Sequence, residues 1–508
     1  MTGSVPERET GSVPERQPKD GSVPERKANP APQGAKSSAR KGGSSQRKAG
    51  AVRGRKSGSV PERRAGSVPE RRAGGSARLL ALDALVRVED GAFAQVLVPE
   101  MLRGSSLEPR DRAFVTDLVY GTVRAQRRLD DLLGRASKRP VSRLDRPVRA
   151  ALRLGAYQLV EGVPPHAAVG ETVDALAKRS PRARGFANAV LRGLTRIGPP
   201  WPEPTEPAVA LSYPDWIVER LTADLGSVDA LGALAVMNEP AAVTLRPNTR
   251  VVEPDALEAE LRSLAIDVER GALVPDALVV RGIGDPGRLA AVAEGRATPQ
   301  DQASQAVVSV LDPQAGDRIA DVAAAPGGKS SAIAERIGTD GVVVAADLDA
   351  GRIRLVARAA SRLGLDDIVP VVADGTRPPL RAGSFDRVLV DAPCSGLGVL
   401  RRRPDARWRV TPEAIVEVAA LQRALLSAAA ALVRPGGTLL YSVCTLTAAE
   451  TLDVDEWAAG ELDGFIALAP PGAPWRPIGR GAQLLPQAAG TDGMYVLHLQ
   501  RDGEVGVP

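Results

Sequence analysis

The sequence predicts an α/β protein in which a parallel sheet is preceded by an all-α bundle and a small α+β connector. Strand and helix patterns alternate from about residue 298 to 508, which is typical of a parallel sheet covered by helices on both faces. Apolar residues at helical spacing run through 76–200, and mixed patterns fill 201–297. A length of 508 residues agrees with several domains.

The composition excludes several classes of protein. Apolar residues make up 44% of the chain and aromatic residues only 3%, so burial must come mainly from aliphatic side chains. Two cysteines exclude a disulfide scaffold, and two histidines disfavour a His-built metal site or a Ser-His-Asp triad, so no metal is expected. No apolar run is long enough to span a bilayer and the N-terminus lacks a signal region, so we expect a cytoplasmic protein with no membrane partner.

Residues 1–75 differ from the rest of the chain in charge and composition. They hold 17 Lys/Arg and 7 Asp/Glu, whereas the remainder holds 49 basic and 54 acidic residues. The hexapeptide GSVPER recurs there without a fixed period, starting at Gly3, Gly11, Gly21, Gly58 and Gly66. The segment has no Leu, Ile, Phe, Tyr or Trp, so we predict a disordered basic tail. It is either a solvated segment or a non-specific RNA tether that acts through phosphate attraction.

The segment 76–200 is predicted to be a bundle of helices joined by short loops. The strings RDRAFVTDLVYGTVR (110–124), LRLGAYQLVEGVPPHAAVGETVDALAK (152–178) and GFANAVLRGL (185–194) resemble the NusB-type RNA-binding helical domain. That domain occurs alone or fused ahead of a ribosomal RNA methyltransferase. His166 falls near a predicted helix start and is given no catalytic role.

The segment 201–297 is predicted to be a small α+β subdomain that packs on the α/β core. Pro and Trp residues at 199–202 mark its beginning. YPDWIVERL (213–221) predicts an amphipathic helix, and NEPAAVTLRPN (238–248) predicts a strand that enters a turn.

A glycine loop follows the first strand pattern of the α/β part. The string DVAAAPGGKS (321–330) lies between a predicted strand and a predicted helix, and Gly327 and Gly328 let the backbone approach a ligand closely. The loop is neither GxGxxG nor a Walker A sequence, so a nucleoside triphosphate site is disfavoured.

Two carboxylates follow the next two strand patterns. Asp347 in GVVVAADLD (341–349) comes about twenty positions after the glycines, where an acidic residue can accept hydrogen bonds from ribose hydroxyls. The alternative is an N-cap for the helix that follows, and the glycine loop favours ribose binding. Asp374 in VVADGT (371–376) either meets an adenine amino group or forms an Asp-Gly turn.

The two cysteines follow two further strand patterns of the same predicted sheet. Cys394 lies in FDRVLVDAPCSGLGVLRRRPDARWR (385–409), three residues after Asp391, and Cys444 lies in PGGTLLYSVCTL (435–446). Free cysteine is usually a small buried hydrophobe, but two at the ligand-binding edge point to chemistry. The arginines at 401–403, together with the Arg-Trp-Arg at 407–409, are expected to grip an RNA backbone.

These motifs together resemble the RNA cytosine-C5 methyltransferases. DQASQ (301–305), AAAPGGK (323–329), DAPCSGLGVLRRRPD (391–405) and YSVCT (441–445) occur in the order of that family. With the NusB-like module in front, the resemblance is to the bacterial 16S ribosomal RNA methyltransferases of the RsmB type and covers about 76–500. It implies a Rossmann-like methyltransferase domain over 298–508 that binds S-adenosylmethionine. The implied cofactor-binding residues are Ala323, Ala324, Ala325, Pro326, Gly327, Gly328, Lys329, Asp347, Asp374 and Asp391.

The resemblance also implies a covalent mechanism that makes 5-methylcytosine. The Cys444 thiolate adds to C6 of the base, which makes C5 nucleophilic enough to take a methyl group. Cys394 is expected to assist removal of the C5 proton or release of the product, and Asp391 to hydrogen-bond the base edge. Lys329 either holds the loop or lowers the pKa of the thiol.

Two positions depart from the family pattern. Ala323 stands where Cys is frequent, which matters little because the backbone does the binding. Glu450-Thr451 stands where the family has Glu-Asn.

The expected partner is 16S ribosomal RNA or the assembling small subunit, and a monomer is expected.

Two other functions fit parts of the sequence. One is a DNA cytosine-C5 methyltransferase with Cys394 as the nucleophile; the second cysteine motif and the helical module argue against it. The other is a NusB-like RNA-binding protein with an inactive catalytic domain. The presence of every expected site residue argues against that alternative.

Overall fold

The computed structural model describes residues 73–503. The predicted tail, 1–75, lies outside the described residues except for its last three positions, where the first helix already begins. The described helices of the N-terminal module are α1 (Ala73–Glu89), α2 (Ala94–Arg103), α3 (Pro109–Arg124), α4 (Gln126–Ala136), α5 (Arg146–Val160), α6 (Pro165–Ala177) and α7 (Arg184–Ile197). The predicted all-α bundle is therefore confirmed.

The centre of the bundle is α5, whose residues from 150 to 159 are all buried. Two glycines allow its neighbours to approach closely. A Cβ atom on Gly121 of α3 would lie 2.1 Å from the Tyr157 ring, and one on Gly155 would lie 2.6 Å from a Leu191 methyl group. Larger residues at these positions would push α3 and α7 away from α5.

The connector consists of three helices followed by a small four-stranded sheet, and two further helices lie between the strands of this sheet. Its elements are α8 (Pro207–Ala210), α9 (Asp215–Leu225), α10 (Ser227–Val236), β1 (Val243–Pro247), α11 (Pro254–Ser263), β2 (Asp267–Arg270), β3 (Leu278–Arg281), α12 (Ala290–Ala293) and β4 (Ala297–Pro299). The sheet has the order β2-β3-β1-β4 and is antiparallel throughout. Apolar residues of α9 and α10 pack against Leu397, Leu400 and Leu446 of the C-terminal part, which agrees with the expected packing on the α/β core.

The C-terminal part contains the large sheet. Its elements are α13 (Gln302–Leu311), β5 (Arg318–Asp321), α14 (Gly328–Ile337), β6 (Val342–Asp347), α15 (Ala350–Leu363), β7 (Ile368–Val372), β8 (Phe385–Asp391), α16 (Pro412–Ala430), β9 (Val433–Val443), α17 (Leu452–Glu461), β10 (Phe465–Ala467), β11 (Arg476–Ile478), β12 (Gly481–Leu484), α18 (Pro486–Ala489) and β13 (Met494–Arg501). The strand order is β11-β12-β13-β9-β8-β5-β6-β7, and β10 pairs with β13.

Helices cover both faces of this sheet, as predicted. Successive residues of β5 show why: Ile319 packs with α13, α14 and α15, whereas Ala320 packs with α16 and α17. Because side chains alternate along a strand, a strand buried on both faces must be apolar nearly throughout. The strings VVVAAD in β6 and FDRVLVD in β8 have this character.

The parallel arrangement is limited to the five strands from β5 to β9. Strands β10 to β13 pair antiparallel, which the alternating pattern did not predict. The connection between β11 and β12 is only two residues long and begins with Gly479 at φ +58°. Such a short connection allows an antiparallel hairpin but no parallel crossover.

The prediction that the arginines after Cys394 grip RNA is wrong for all of them except Arg403, which is exposed. Arg401 donates to backbone carbonyl groups of the connector, and Arg402 pairs with Asp301 and Asp492. The Trp408 indole N–H donates to the Val123 carbonyl of α3 at 2.8 Å. These donors are engaged inside the protein and are not available to phosphate groups.

Arg407 is the central residue of this junction between the three parts of the chain. It is fully buried, and its guanidinium lies 3.8 Å from the centre of the Tyr213 ring. It donates to the carbonyls of Arg124 and Ser212 and, at 2.8 Å, to the Asn238 side chain. Burial lowers the pKa of Arg407 to about 10, so the side chain stays charged at neutral pH. Arg407 thus links the helical module, the connector and the C-terminal part.

We predict that Arg407→Ala lowers the free energy of unfolding by about 3 kcal/mol, because it leaves a cavity and removes the donor from three acceptors, of which the Ser212 carbonyl is buried. The measurement is urea denaturation followed by circular dichroism. The matched control is Arg403→Ala, four residues away and exposed, which should change stability by less than about 0.5 kcal/mol. Equal effects of the two substitutions would contradict the role of Arg407 as a junction residue.

Candidate active site

The functional residues lie at the carboxyl ends of the parallel strands, where an open α/β sheet binds its ligands. The chain runs outward from β5 through β6 to β7, then returns to place β8 on the other side of β5. At this reversal, Asp321 ends β5 and Asp391 ends β8, while Asp347 ends β6. The sequence-predicted residues therefore share one edge of the sheet.

The two cysteines lie side by side at this edge. Cys394 follows β8 by three residues, Cys444 directly follows β9, and these strands are parallel neighbours. Their Sγ atoms are 3.2 Å apart, both side chains are partly buried, and both are free thiols. A pair at this distance shares a hydrogen bond between its sulfurs.

The pKa values of the two thiols are shifted in opposite directions. The hydrogen bond from Cys394 lowers the pKa of Cys444, and the positive charges of Lys329 and Arg403 lower it further, against burial and the charge of Asp391. The hydrogen bond with Cys444 raises the pKa of Cys394 well above its usual value, and burial adds to this. Cys444 is therefore the more acidic thiol of the pair, and Cys394 is the less acidic one.

Lys329 and Asp391 form an ion pair beside the cysteines. The Lys329 Nζ atom is 2.7 Å from Asp391 Oδ2, and the Ser442 hydroxyl donates to Oδ1 at 2.8 Å. Ser442 is the register partner of Asp391 across β8 and β9. The positive charge of Lys329 lowers the pKa of Cys444, which was one of its two expected roles, and its Nζ atom pairs with Asp391 rather than with a residue of the glycine loop.

The glycine loop, 323–329, joins β5 to α14. Its backbone is fixed from β6, because the Ala324 N–H donates to the Ala346 carbonyl at 2.8 Å and the Ala325 N–H to Asp347 Oδ2 at 3.3 Å. Gly327 has φ +100°, a value that side chains rarely permit. The loop ends at the N-terminus of α14, where backbone N–H groups lack partners within the helix and favour an anion.

The chemistry of this loop fits S-adenosylmethionine. The cofactor carries a carboxylate, an ammonium group, a sulfonium centre and ribose hydroxyls. The N-terminus of α14 suits the carboxylate, and two buried acceptors suit the cationic and hydroxyl groups. Asp321 Oδ1 is buried and has no hydrogen-bond partner among the described residues, and burial raises the pKa of Asp321 to about 7. Asp347 is nearly fully buried beside the loop.

Asp347 is not the N-cap of the helix that follows, because Asp349 caps α15 by accepting from the Arg352 N–H at 2.7 Å. Asp374 differs from the other carboxylates. It is exposed, two residues beyond β7, and accepts from the Thr376 N–H and hydroxyl, which lower its pKa. The turn proposed as an alternative thus exists, and a role of Asp374 toward adenine stays a prediction.

The sequence analysis noted Glu450 only as part of a departure from the family pattern. Glu450 is fully buried and accepts hydrogen bonds from residues next to both cysteines. Its donors are the Ser395 N–H (2.7 Å), the Ser395 hydroxyl (2.6 Å), the Thr445 hydroxyl (3.0 Å), the Thr447 hydroxyl (2.8 Å) and the Gln422 amide (3.2 Å). Several Ser and Thr residues around a Cys motif are the only sequence signal for it.

Arg246 of the connector was also missed. Its buried guanidinium pairs with Glu335 of α14 at 2.8 Å and donates to the Gly328 carbonyl at 2.7 Å. The small sheet therefore contacts the glycine loop from behind. A single arginine within a predicted strand carries no local signal for such a contact.

Three family models match successive parts of the chain. The model described as NusB family matches residues 75–196, and the RsmF/B-like ferredoxin-like domain matches 213–285. The model described as 16S rRNA methyltransferase RsmB/F matches 308–500. Within residues 73–503, no helix is long and apolar enough to cross a membrane, and no group of three or more His, Cys, Asp or Glu residues could hold a metal ion.

Curated relatives match over nearly their whole length. A probable ribosomal RNA small subunit methyltransferase B from Synechocystis is 35% identical over 450 residues, which cover 84% of this chain and 99% of the relative. The protein with the same description from Bacillus subtilis is 32% identical over 455 residues, with the same coverage. Ribosomal RNA small subunit methyltransferase B from Pseudomonas syringae is 34% identical over 436 residues, or 83% of this chain and 96% of the relative.

Solved structures share the fold. The crystal structure of PH0851 superposes with a TM-score of 0.73 at 26% identity and covers 86% of this chain and 99% of its own. The structure of NSun6 from Pyrococcus horikoshii with SFG has a TM-score of 0.52 at 22% identity, covering 57% of this chain and 98% of its own.

We predict that Cys444 is alkylated at lower pH than Cys394, because the thiolate is the reactive form and only the pKa of Cys444 is lowered. Lys329→Met should raise the pH midpoint of Cys444 alkylation by about one unit, since it removes a positive charge beside the sulfur. Iodoacetamide labelling over a pH series, read at each cysteine by peptide mass spectrometry, measures both effects.

The matched control for this experiment is Arg352→Met, because Arg352 pairs with Asp347 and not with Asp391. It should leave the midpoint of Cys444 unchanged. Preferential labelling of Cys394 at low pH would contradict the assignment of the thiolate to Cys444.

Proposed function

Because this chain belongs to the RsmB/F family of S-adenosylmethionine-dependent 16S ribosomal RNA methyltransferases, we propose that it methylates C5 of a cytosine in 16S ribosomal RNA. The observation that carries this proposal is the pair of cysteines in contact at the ends of β8 and β9, whose pKa values are shifted in opposite directions. Carbon 5 of cytosine is a poor nucleophile, and a covalent thiolate adduct at C6 removes that difficulty.

Cys444 is the proposed nucleophile. Its thiolate forms a bond to C6, and the electron pair of the C5–C6 double bond shifts toward C5 and the ring. S-adenosylmethionine supplies the electrophilic methyl group that C5 takes. Loss of the C5 proton then restores the double bond as the C6–S bond breaks, so Cys444 leaves as a thiolate.

Cys394 is the proposed base for the C5 proton. In the free protein its raised pKa, caused mainly by the hydrogen bond with Cys444, keeps it protonated. Once Cys444 is bonded to C6 it is a neutral thioether, so this cause of the raised pKa disappears. Cys394 then gives its thiol proton to solvent, and the resulting thiolate accepts the proton from C5.

Asp391 and Lys329 are proposed to orient the base. Asp391 accepts from Lys329 and Ser442 and keeps lone pairs for the amino group or the protonated N3 of cytosine. An acceptor at this position favours cytosine over uracil, which has a carbonyl oxygen in place of the amino group.

The proposed cofactor contacts are the backbone of 323–329 with the N-terminus of α14, and the carboxylates of Asp347, Asp374 and Asp391. Asp347 would accept from the ribose hydroxyls while its other contacts keep the loop in place.

The proposed RNA partner is bound by the NusB-like module, as naked 16S ribosomal RNA or within an assembling subunit. The target cytosine must be single-stranded or flipped out, because a paired base cannot reach sulfur atoms at the sheet edge. The proposed active form is a monomer. Bisulfite sequencing of 16S ribosomal RNA from a deletion strain tests the product: one cytosine should lose its protection, and an unchanged pattern would contradict the proposal.

We predict that Asp347→Ala weakens S-adenosylmethionine binding by about ten- to a hundredfold, because each hydrogen bond to a buried charged acceptor contributes about 1.5–3 kcal/mol. Isothermal titration calorimetry measures the change. Asp349→Ala is the matched control, since it removes the cap of α15 two residues away and should leave the affinity nearly unchanged. Equal losses in both variants would point to disruption of the loop rather than loss of a ribose contact.

The two cysteines are predicted to fail in different ways. Cys444→Ser should abolish methyl transfer and covalent capture of RNA, because a hydroxyl is far less acidic than a thiol and supplies no attacking anion. Cys394→Ser should still form the adduct at C6 but release it slowly, so a protein–RNA species should accumulate. Denaturing electrophoresis of each variant with target RNA and cofactor measures this species.

The reverse outcome, with RNA trapped by Cys444→Ser and not by Cys394→Ser, would assign the attack to Cys394. The mechanism of the DNA cytosine-C5 enzymes would then describe this site better. The raised pKa of Cys394 argues against that outcome.

A further inference from the structure

The side chain of Glu450 ties together the two loops that carry the cysteines. Ser395, next to Cys394, donates to it through its N–H at 2.7 Å and its hydroxyl at 2.6 Å. Thr445, next to Cys444, donates through its hydroxyl at 3.0 Å. The carboxylate thus bridges the residues that immediately follow both cysteines.

The proposed mechanism gives Glu450 no chemical step. It is fully buried among Thr447, Gln422 and the Tyr441 hydroxyl, which donates to its backbone carbonyl at 2.8 Å. Gln422 also donates to the Pro393 carbonyl at 2.9 Å. Four segments therefore converge on this residue: the loop after β8, the loop after β9, helix α16 and the turn before α17.

We propose that Glu450 is a positioning residue that sets the distance and orientation of the Cys394 and Cys444 sulfur atoms. This inference rests on the proposed function, which assigns the attack on C6 to Cys444 and the removal of the C5 proton to Cys394. An ionised carboxylate only accepts hydrogen bonds, so every donor around it must point inward. No neutral side chain of the same size can satisfy both oxygens in this way, and Gln would turn an amide N–H₂ toward donors.

The distance between the sulfurs matters because the two atoms are joined by a hydrogen bond. A hydrogen bond between sulfur atoms is lost when they separate much beyond the observed 3.2 Å. Separation would remove the main cause of the low pKa of Cys444 and would also move Cys394 away from the proton on C5. A small loosening of these two loops should therefore impair both attack and release without touching the cofactor loop.

The test measures the geometry of the sulfurs directly. Diamide oxidises two neighbouring thiols to a disulfide and is itself reduced to the hydrazine, and the disulfide between Cys394 and Cys444 is quantified by peptide mass spectrometry. In Glu450→Gln we expect this disulfide to form about tenfold or more slowly, because small misplacements of reacting atoms are costly. The pH midpoint of Cys444 alkylation should rise, and Glu450→Asp should restore part of both values.

Asp455→Asn is the matched control. Asp455 is another buried carboxylate, on α17, and binds Arg480 rather than the cysteine loops. Its loss should lower thermal stability while leaving the disulfide rate and the alkylation midpoint at their wild-type values. In case Glu450→Gln does not fold, Ser395→Ala and Thr445→Val each remove one hydroxyl donor to Glu450 and should change both values in the same direction by smaller factors.

Unchanged sulfur readouts in Glu450→Gln, with a loss of stability like that of Asp455→Asn, would overturn the proposal and leave Glu450 a purely structural residue. This outcome is distinct from failure of the proposed function. If Cys444→Ser retained methyl transfer, the catalytic assignment would fall, whereas the diamide reaction would still report whether Glu450 holds the sulfurs together.

Discussion

The parallel pairing of β8 with β9 is the constraint on which the active site depends. Its register sets Asp391 opposite Ser442 and brings the two chain segments that follow, with Cys394 and Cys444, to within 3.2 Å at their sulfurs. A shift of one residue would turn alternate side chains to the other face of the sheet and separate these groups. The apolar residues of both strands, packed against helices on each face, hold the register.

Charge at this edge is arranged around that pairing. Asp391 is held by Lys329, and the same lysine lowers the pKa of Cys444, so one cation acts on a carboxylate and on a thiol. Asp321 is buried without a cation at hydrogen-bond distance, and burial raises its pKa to about 7.

The sequence predicted well what is determined locally. The Asp and Cys residues that follow strand patterns predicted the ligand-binding edge of the sheet, because the carboxyl ends of parallel strands lie at the same edge. It failed where burial depends on distant surfaces. Arg407 and Trp408 look like a solvated basic run, yet Tyr213, Asn238 and Val123 cover them from positions far away in the chain. Glu450 was overlooked for the same reason, since its donors come from separate segments that only the fold assembles.

The junction at Arg407 and Trp408 bears on how this architecture can change during evolution. The segment that follows the Pro-Cys loop is the same segment that forms hydrogen bonds with α3 and the connector. The NusB-family module is therefore joined to the Pro-Cys loop by a shared interior and not by a tether. Recombination that replaced this module with another domain would have to supply a matching surface for a buried guanidinium and an indole. Only modules that carry such a surface can replace it, and we therefore expect the three parts of the chain to be inherited together.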